Sequence, residues 1–350
     1  AAVMPTYSLP APGLTVNGTP VEPVGVGFNR QLLDESLRGQ HGFEGFVMSD
    51  WLITADCPDA CLKGTFDVDK LGMPWGVEDL TVPERFAKGI EAGIDQFGGV
   101  METDVVVDLV RSGALDETRV DRSARRIAKV IFQLGLFENA YVDAEASEQQ
   151  VGTDDARALA LDAQHRSVVL LENKGGILPL ALASARRAWL VGVDADAARL
   201  AGFTPVEAPE QADVALLRLA APFTSHPDYF FGSSAHEGPL TMGPGDPGYE
   251  AVAKAHAAGI AIIADVYLDR PAVLTPVQPM VDALMGDYGI TDAAFLDIVT
   301  GRARPEGKLP VELPRSDAAV AAQRGDVPSD SVDPLYPQGF GMELRRGPTP

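Results

Sequence analysis

Basic residues are scarce in this 350-residue chain: 28 Lys and Arg stand against 50 Asp and Glu, a formal net charge of −22. That balance argues against nucleic acid, whose phosphates are neutralised by clustered Lys and Arg. It also disfavours anionic membrane surfaces and polyanionic substrates. A neutral ligand such as a sugar is compatible with it, and so is a plainly solubilising surface. Long apolar runs are missing too, with nothing near the ~18 residues of a transmembrane helix. The opening stretch AAVMPTYSLPAPG has neither the charged n-region nor the apolar h-region of a signal peptide. No GxxxxGK(S/T) occurs and no GxGxxG opens a helix after a strand, so the common nucleotide-binding signatures are excluded. Cysteine is confined to Cys57 and Cys61 in DCPDAC. No histidine lies nearby and no second cysteine pair completes a tetrahedral zinc site, so no metal or cofactor is expected. A local disulfide, a partial metal site and two free thiols are the available readings. The disulfide is the expected one and implies an oxidising compartment, periplasmic or secreted.

What is there is apolar and periodic. Hydrophobic residues make up 46% of the chain, enough for a sizeable core, and the length suits two domains. A short strand is expected over Val3 to Tyr7, then a helix in FNRQLLDESLRGQ, a buried strand over Phe46 to Met48, and a helix in VPERFAKGIEAG. IDQFGG reads as another strand, METDVVVDLVRSG and RVDRSARRIAKVIFQLGLF as further helices. This β-α-β-α-β-α order predicts a parallel sheet with crossover helices. A connection and a helix (DDARALALDAQHRS) follow. Then SVVLLEN, RAWLVGV, ADVALLRLA and GIAIIADVYL read as strands of a second α/β unit, as apolar as strands covered on both faces should be. AVAKAHAAG and DAAFLDIVTG are helices, and from about residue 316 the chain turns polar and Pro-rich.

Asp50 follows a short buried strand, and the carboxyl ends of parallel strands are where α/β folds build their sites. Trp51 next to it offers an indole face for the apolar face of a pyranose. The alternative is that Asp50 merely caps the next segment.

GFEGFVMSDW resembles the nucleophile signature of glycoside hydrolase family 3, in which a strand ends in Ser-Asp-Trp. VMPTYS…VNG is similar to that family's Met-x-x-Tyr strand and Asn-Gly loop. RVDRSARRIAKVIFQLGLFEN resembles the helix closing its barrel, and HRSVVLLENKGGILPL the start of its second domain. EGKLPVELPRS and PLYPQGFG resemble its C-terminal signatures. The matches run in family order along the chain, with one departure: Gly93-Ile94-Asp95-Gln96 stands where Gly-Leu-Asp-Met is usual.

The resemblance implies an α/β fold, the C-terminal portion of a (β/α)8 barrel over 1–138, a linker and connecting helix over 139–165, a six-stranded α/β sandwich over 166–316, and a tail over 317–350. It implies a retaining exo-β-glycosidase, β-glucosidase first, with β-xylosidase, β-N-acetylglucosaminidase and a non-catalytic sugar-binding fragment as alternatives. Asp50 would be the nucleophile, Tyr7 would lie beside it, and Met4, Tyr7 and Trp51 would serve the sugar subsite. The acid/base candidate is Glu237, the one glutamate of RLAAPFTSHPDYFFGSSAHEGPLTMGPGD, beside His236; Asp228 is the next choice, and a solvated loop residue is the plain alternative. The loop around Glu237 is expected to reach toward Asp50. The implied substrate is a β-glucoside or β-linked oligosaccharide. The family's barrel portion before the nucleophile strand has no counterpart in this sequence, so a preceding barrel segment or fragment is an expected partner.

Overall fold

The computed structural model describes residues 1–57, 72–180, 186–225, 236–325, 327 and 329–344. The chain divides into two compact units, Ala1–Ser147, and Glu148–Ser225 with Ala235–Pro350. Among the described residues no helix is long and apolar enough to cross a membrane.

In the first unit β1 (Ala2–Val3), β4 (Phe46–Trp51) and β5 (Gln96–Gly98) form a parallel sheet in that order, and β2 (Thr15–Val16) with β3 (Thr19–Pro20) make a small hairpin. Helices α1 (Gln31–Gln40, wound as a π-helix), α2 (Val82–Ala92), α3 (Thr103–Arg111) and α4 (Glu117–Gln133) follow, and α5 (Ala144–Gln150) runs from this unit into the next. The first strand is shorter than expected because Pro5 follows and has no N–H to give a ladder. The second is longer: it does not stop at Met48 but continues through Asp50 to Trp51. Helix α2 starts at a capping box, in which Glu84 Oε2 accepts from the Thr81 N–H at 2.8 Å. Side chains alternate along β4, with Val47 and Ser49 buried and Met48 and Asp50 on the opposite face. Val47 packs with Leu33 of α1 and Ile94, and a second small cluster holds Val24, Phe28, Ile53 and Val77.

The second unit is a six-stranded α/β sandwich. Helix α6 (Asp154–Ser167) leads into β6 (Val169–Asn173), β7 (Arg186–Val191), α7 (Ala195–Leu200), β8 (Phe203–Val206), β9 (Val214–Ala220), α8 (Pro247–Ala257), β10 (Ala261–Tyr267), β11 (Ala283–Asp287), α9 (Asp292–Thr300) and α10 (Asp317–Ala322). The sheet order is β6-β11-β10-β9-β7-β8, all parallel except β6, which runs antiparallel to β11. Alternation sends Ala215, Leu217 and Leu219 of β9 into one core and Val214 and Leu216 into the other, so both faces are covered. Leu309, Leu313 and Tyr336 join the first of these cores and Leu344 the second. Two strands, β8 and β11, were not legible as strands. Edge strand β8 carries Pro205, tolerable only at an edge. Strand β11 reads ALMGD, helix-forming letters interrupted by Gly286, where a Cβ would lie 2.6 Å from Leu268 Cδ1.

Candidate active site

The end of β4 is irregular in a way that aims Asp50. Against β5 the register passes from Met48↔Gln96 to Trp51↔Gly98, so β4 spends one residue more than its partner. This is a β-bulge, and bulges beside sites redirect side chains. Ser49 repairs the ladder: its Oγ accepts from the Gly98 N–H at 2.9 Å and donates to the Asp50 carbonyl at 2.7 Å. Asp50 Oδ1 accepts from the Trp51 N–H at 2.8 Å. The side chain is half-buried near the carboxyl end of a parallel strand.

Two aromatic side chains flank it. The Tyr7 hydroxyl donates to the Trp51 carbonyl at 2.8 Å. Burial pushes the Tyr7 phenol well above its ordinary range, and the hydrogen bond and charge of the Asp50 carboxylate push it further, so Tyr7 stays a neutral donor beside Asp50. The Trp51 indole is half exposed and lies on the backbone of Gly98 and Gly99. A Cβ on Gly99, whose φ is +70°, would come within 2.4 Å of Trp51 Cδ1. The pair Gly98-Gly99 is therefore what lets the indole lie there. Just beyond, Leu52 sits at φ +59°, an uncommon conformation for a bulky residue. Met4, 52% exposed, lies just past β1.

The segment after Trp51 is gripped by Arg85 of α2. This buried guanidinium donates to the carbonyls of Thr54, Val77 and Glu78 at 2.9–3.3 Å and to Asp56 Oδ1 at 2.6 Å. Cys57 is disulfide-bonded; Cys61 lies outside the described residues. Ser49, Gly99 and Arg85 escaped the sequence reading. The doubled glycine was the one visible sign, while the roles of Ser49 and Arg85 exist only through residues distant in the chain.

The departing tetrapeptide Gly93-Ile94-Asp95-Gln96 is structural. Asp95 Oδ2 takes Arg38 at 2.6 Å and the Val47 N–H at 2.9 Å; Oδ1 takes Ser123 at 2.7 Å and Arg126 at 2.9 Å. It ties α1, β4, β5 and α4 together.

Glu237 belongs to the second unit, in an exposed segment. Its backbone pairs with Thr224 in an isolated antiparallel bridge, and its carbonyl accepts from Arg270 at 2.6 Å. His236 pairs through Nδ1 with the Asp269 carboxylate and stacks on Phe223, centroids 3.9 Å apart. Asp228, the other acid/base candidate, lies outside the described residues. Thus the structure gathers Asp50, Tyr7 and Trp51 in the first unit, while Glu237 stands in the second with partners of its own.

Residues 168–344 match the model of the glycosyl hydrolase family 3 C-terminal domain. A periplasmic beta-glucosidase/beta-xylosidase of Dickeya chrysanthemi is 46% identical over 346 residues, 98% of this chain and 52% of that protein. Beta-glucosidase C of Emericella nidulans is 39% identical over 97% of this chain and 53% of its own length. The chain therefore spans about half the length of these curated relatives. Among solved structures, a β-glucosidase from Erythrobacter marinus superposes with a TM-score of 0.73 at 24% identity, over 91% of this chain and 50% of that one. A β-glucosidase from Listeria innocua, in complex with isofagomine, superposes with a TM-score of 0.68 at 21% identity, over the same shares.

Proposed function

Because the chain belongs to glycosyl hydrolase family 3 by its match to the model of that family's C-terminal domain, we propose that it acts as a retaining exo-β-glycosidase with Asp50 as nucleophile. The observation that carries the reading is the bulged end of β4, where the Asp50 carboxylate stands with the neutral Tyr7 hydroxyl and the Trp51 indole at its side. In this mechanism Asp50 attacks the anomeric carbon as the aglycone leaves, forming a covalent glycosyl-enzyme. Water then cleaves that bond and restores the β configuration. Tyr7, held in place by its hydrogen bond to the Trp51 carbonyl, packs beside the carboxylate and stays neutral there. Trp51 offers its exposed face to the sugar ring.

A second carboxyl group must protonate the leaving oxygen and later activate water, about 5 Å from the nucleophile in retaining enzymes. Glu237 is our assignment for that role. The sugar is glucose in first place; xylose is the second reading, because the name of the Dickeya chrysanthemi relative covers both activities. Met4 joins Trp51 at the subsite, and a preceding barrel segment is the partner that completes it. The compartment is extracytoplasmic, in keeping with the disulfide at Cys57 and that relative's periplasmic name.

Intact and peptide mass spectrometry after reaction with a 2-deoxy-2-fluoro-β-glucoside tests the assignment. One glycosyl adduct is expected, on the peptide carrying Asp50, and Asp50→Asn should abolish it and lower kcat by about 1,000-fold or more. An adduct on another carboxylate overturns the assignment of Asp50, and a stereochemically inverted product overturns the retaining mechanism.

A further inference from the structure

Strands β9 and β10 are parallel neighbours and release their chains at the same edge of the sheet. Beyond β9 the chain leaves through Ala221–Thr224, with the Ala221 N–H still bonded to the Tyr267 carbonyl at 3.0 Å. It comes back through His236–Gly238, so that departing and returning limbs meet beside Asp269 and Arg270, which follow β10. Thr224 N–H donates to the Glu237 carbonyl at 2.9 Å. The Arg270 guanidinium spans both limbs: Nη1 donates to the carbonyls of Pro222 at 3.3 Å and Glu237 at 2.6 Å, and Nη2 to that of Gly238 at 2.9 Å. Asp269 holds the same limbs through an aromatic relay, since it bonds His236, and His236 stacks on Phe223 at an interplanar angle of 13°. Gly238 has φ +78°, and a Cβ there would lie 2.5 Å from Thr224 Oγ1, so the limbs close only over glycine. Farther along, Val273 N–H donates to Leu240 O at 2.9 Å and Met242 N–H to Val273 O at 3.1 Å, with Met242 and Val273 in the core.

We propose that Arg270, assisted by the Asp269–His236–Phe223 stack, is a positioning residue that buckles both limbs of this loop and thereby sets where Glu237 presents its carboxyl. The proposal rests on the reading of Glu237 as the acid/base. Its physical basis is the fork of the guanidinium. Arginine is planar and permanently charged, and it presents its donors in fixed directions, so one side chain holds carbonyls of both limbs at once. Charge-assisted bonds of this kind are the stronger ones. A lysine provides the charge but not the fork. A general acid works only within hydrogen-bond reach of the oxygen it protonates, so loosening the buckle displaces the donor without touching the nucleophile.

Arg270→Ala, Arg270→Lys and Glu237→Gln, made in the catalytically active form of the protein, test this on two substrates. Phenyl β-glucoside has a poor leaving group that needs the proton; dinitrophenyl β-glucoside leaves largely without it. Glu237→Gln is expected to lower kcat about 100-fold or more on the first and far less on the second. Arg270→Ala should show the same selectivity, with a loss on phenyl β-glucoside at least about tenfold greater than on the dinitrophenyl substrate. Arg270→Lys should fall between Arg270→Ala and the parent, and a melting temperature for each variant separates this from unfolding. If Glu237→Gln is selective but both Arg270 variants, folded, lose activity equally on both substrates or not at all, the buckle is overturned and the acid/base reading survives. If Glu237→Gln shows no selectivity, the acid/base reading itself fails and takes the positioning role with it.

Discussion

Asp95 in the first unit and Asp265 in the second both have fully buried carboxyl groups, and their surroundings shift them in opposite directions. Burial pushes both upward, since a charge in the interior loses its water. Around Asp95 that push is overcome: the Val47 N–H, Ser123 and Arg126 bond to it, and it ends below the ordinary carboxylate value. Arg38 lies at 2.6 Å and Arg119 at 3.4 Å besides. Around Asp265 the arithmetic is reversed. One cation, Arg218, serves Asp265 at 3.3 Å, Asp287 at 3.7 Å and Asp292 at 2.6 Å. Among the described residues no N–H or O–H donor reaches Asp265 Oδ1. Burial first, then the charge and hydrogen bond of Asp287, raise its carboxyl well above the ordinary value against the pull of Arg218. The comparison teaches that the charge of a buried carboxylate follows the ratio of donors to acceptors around it. The first unit, with two small cores, leans on an ionised hub. The second, with two extensive cores, accommodates a carboxyl pushed well above its ordinary value.

The harshest way to break the comparison is Asp95→Asn. It leaves arginines buried without their anion and should cost about 3–5 kcal/mol, read as early exchange of the β4 and β5 amides in hydrogen-exchange mass spectrometry while β9–β11 stays protected. Arg218→Met should come next, at about 2–3 kcal/mol. Its loss falls on the second unit, where Arg218 is the cation set against Asp265, Asp287 and Asp292. pH alone sharpens the contrast by a smaller effect of opposite sign in the two units. The lowered Asp95 stabilises the first unit above the ordinary carboxylate value of 3.8, and that contribution is lost as pH falls through its folded value. The raised Asp265 contributes fully below 3.8, and its contribution is lost as pH rises through its folded value. Exchange protection of β5 should therefore decline first in acid, and β10 should lose stability on the way up from acid. Smallest is Asp265→Asn, which imitates the neutral acid. It should change the stability of the second unit by under about 1 kcal/mol and flatten its pH response; a loss as large as that of Asp95→Asn would show that the unit depends on the Asp265 carboxylate.

Much of the frame was legible in the sequence because it rests on local periodicity. The DDARALALDAQHRS helix is found as Asp154–Ser167, and the strands in RAWLVGV, ADVALLRLA and GIAIIADVYL stand where their apolar runs are. The Ser-Asp-Trp strand end was visible as well. Its bulge was not, because a bulge is a relation between two strands, and Gly98 lies far from Ser49 in the chain. The roles of Arg85 and Arg270 likewise depend on carbonyl acceptors brought in from other segments.

The sequence by itself determined the α/β alternation, the acidic surface, and the placing of an aspartate and a tryptophan at a strand end, because hydrophobic period, charge and turn chemistry are properties of neighbouring residues. The tertiary structure alone decided that Asp95 is a hub, that burial and Asp287 raise the Asp265 carboxyl, and that Arg270 joins two limbs of chain. Each of these depends on which donors and acceptors the fold delivers to one buried point. A carboxylate carries no mark of that in its own stretch of chain.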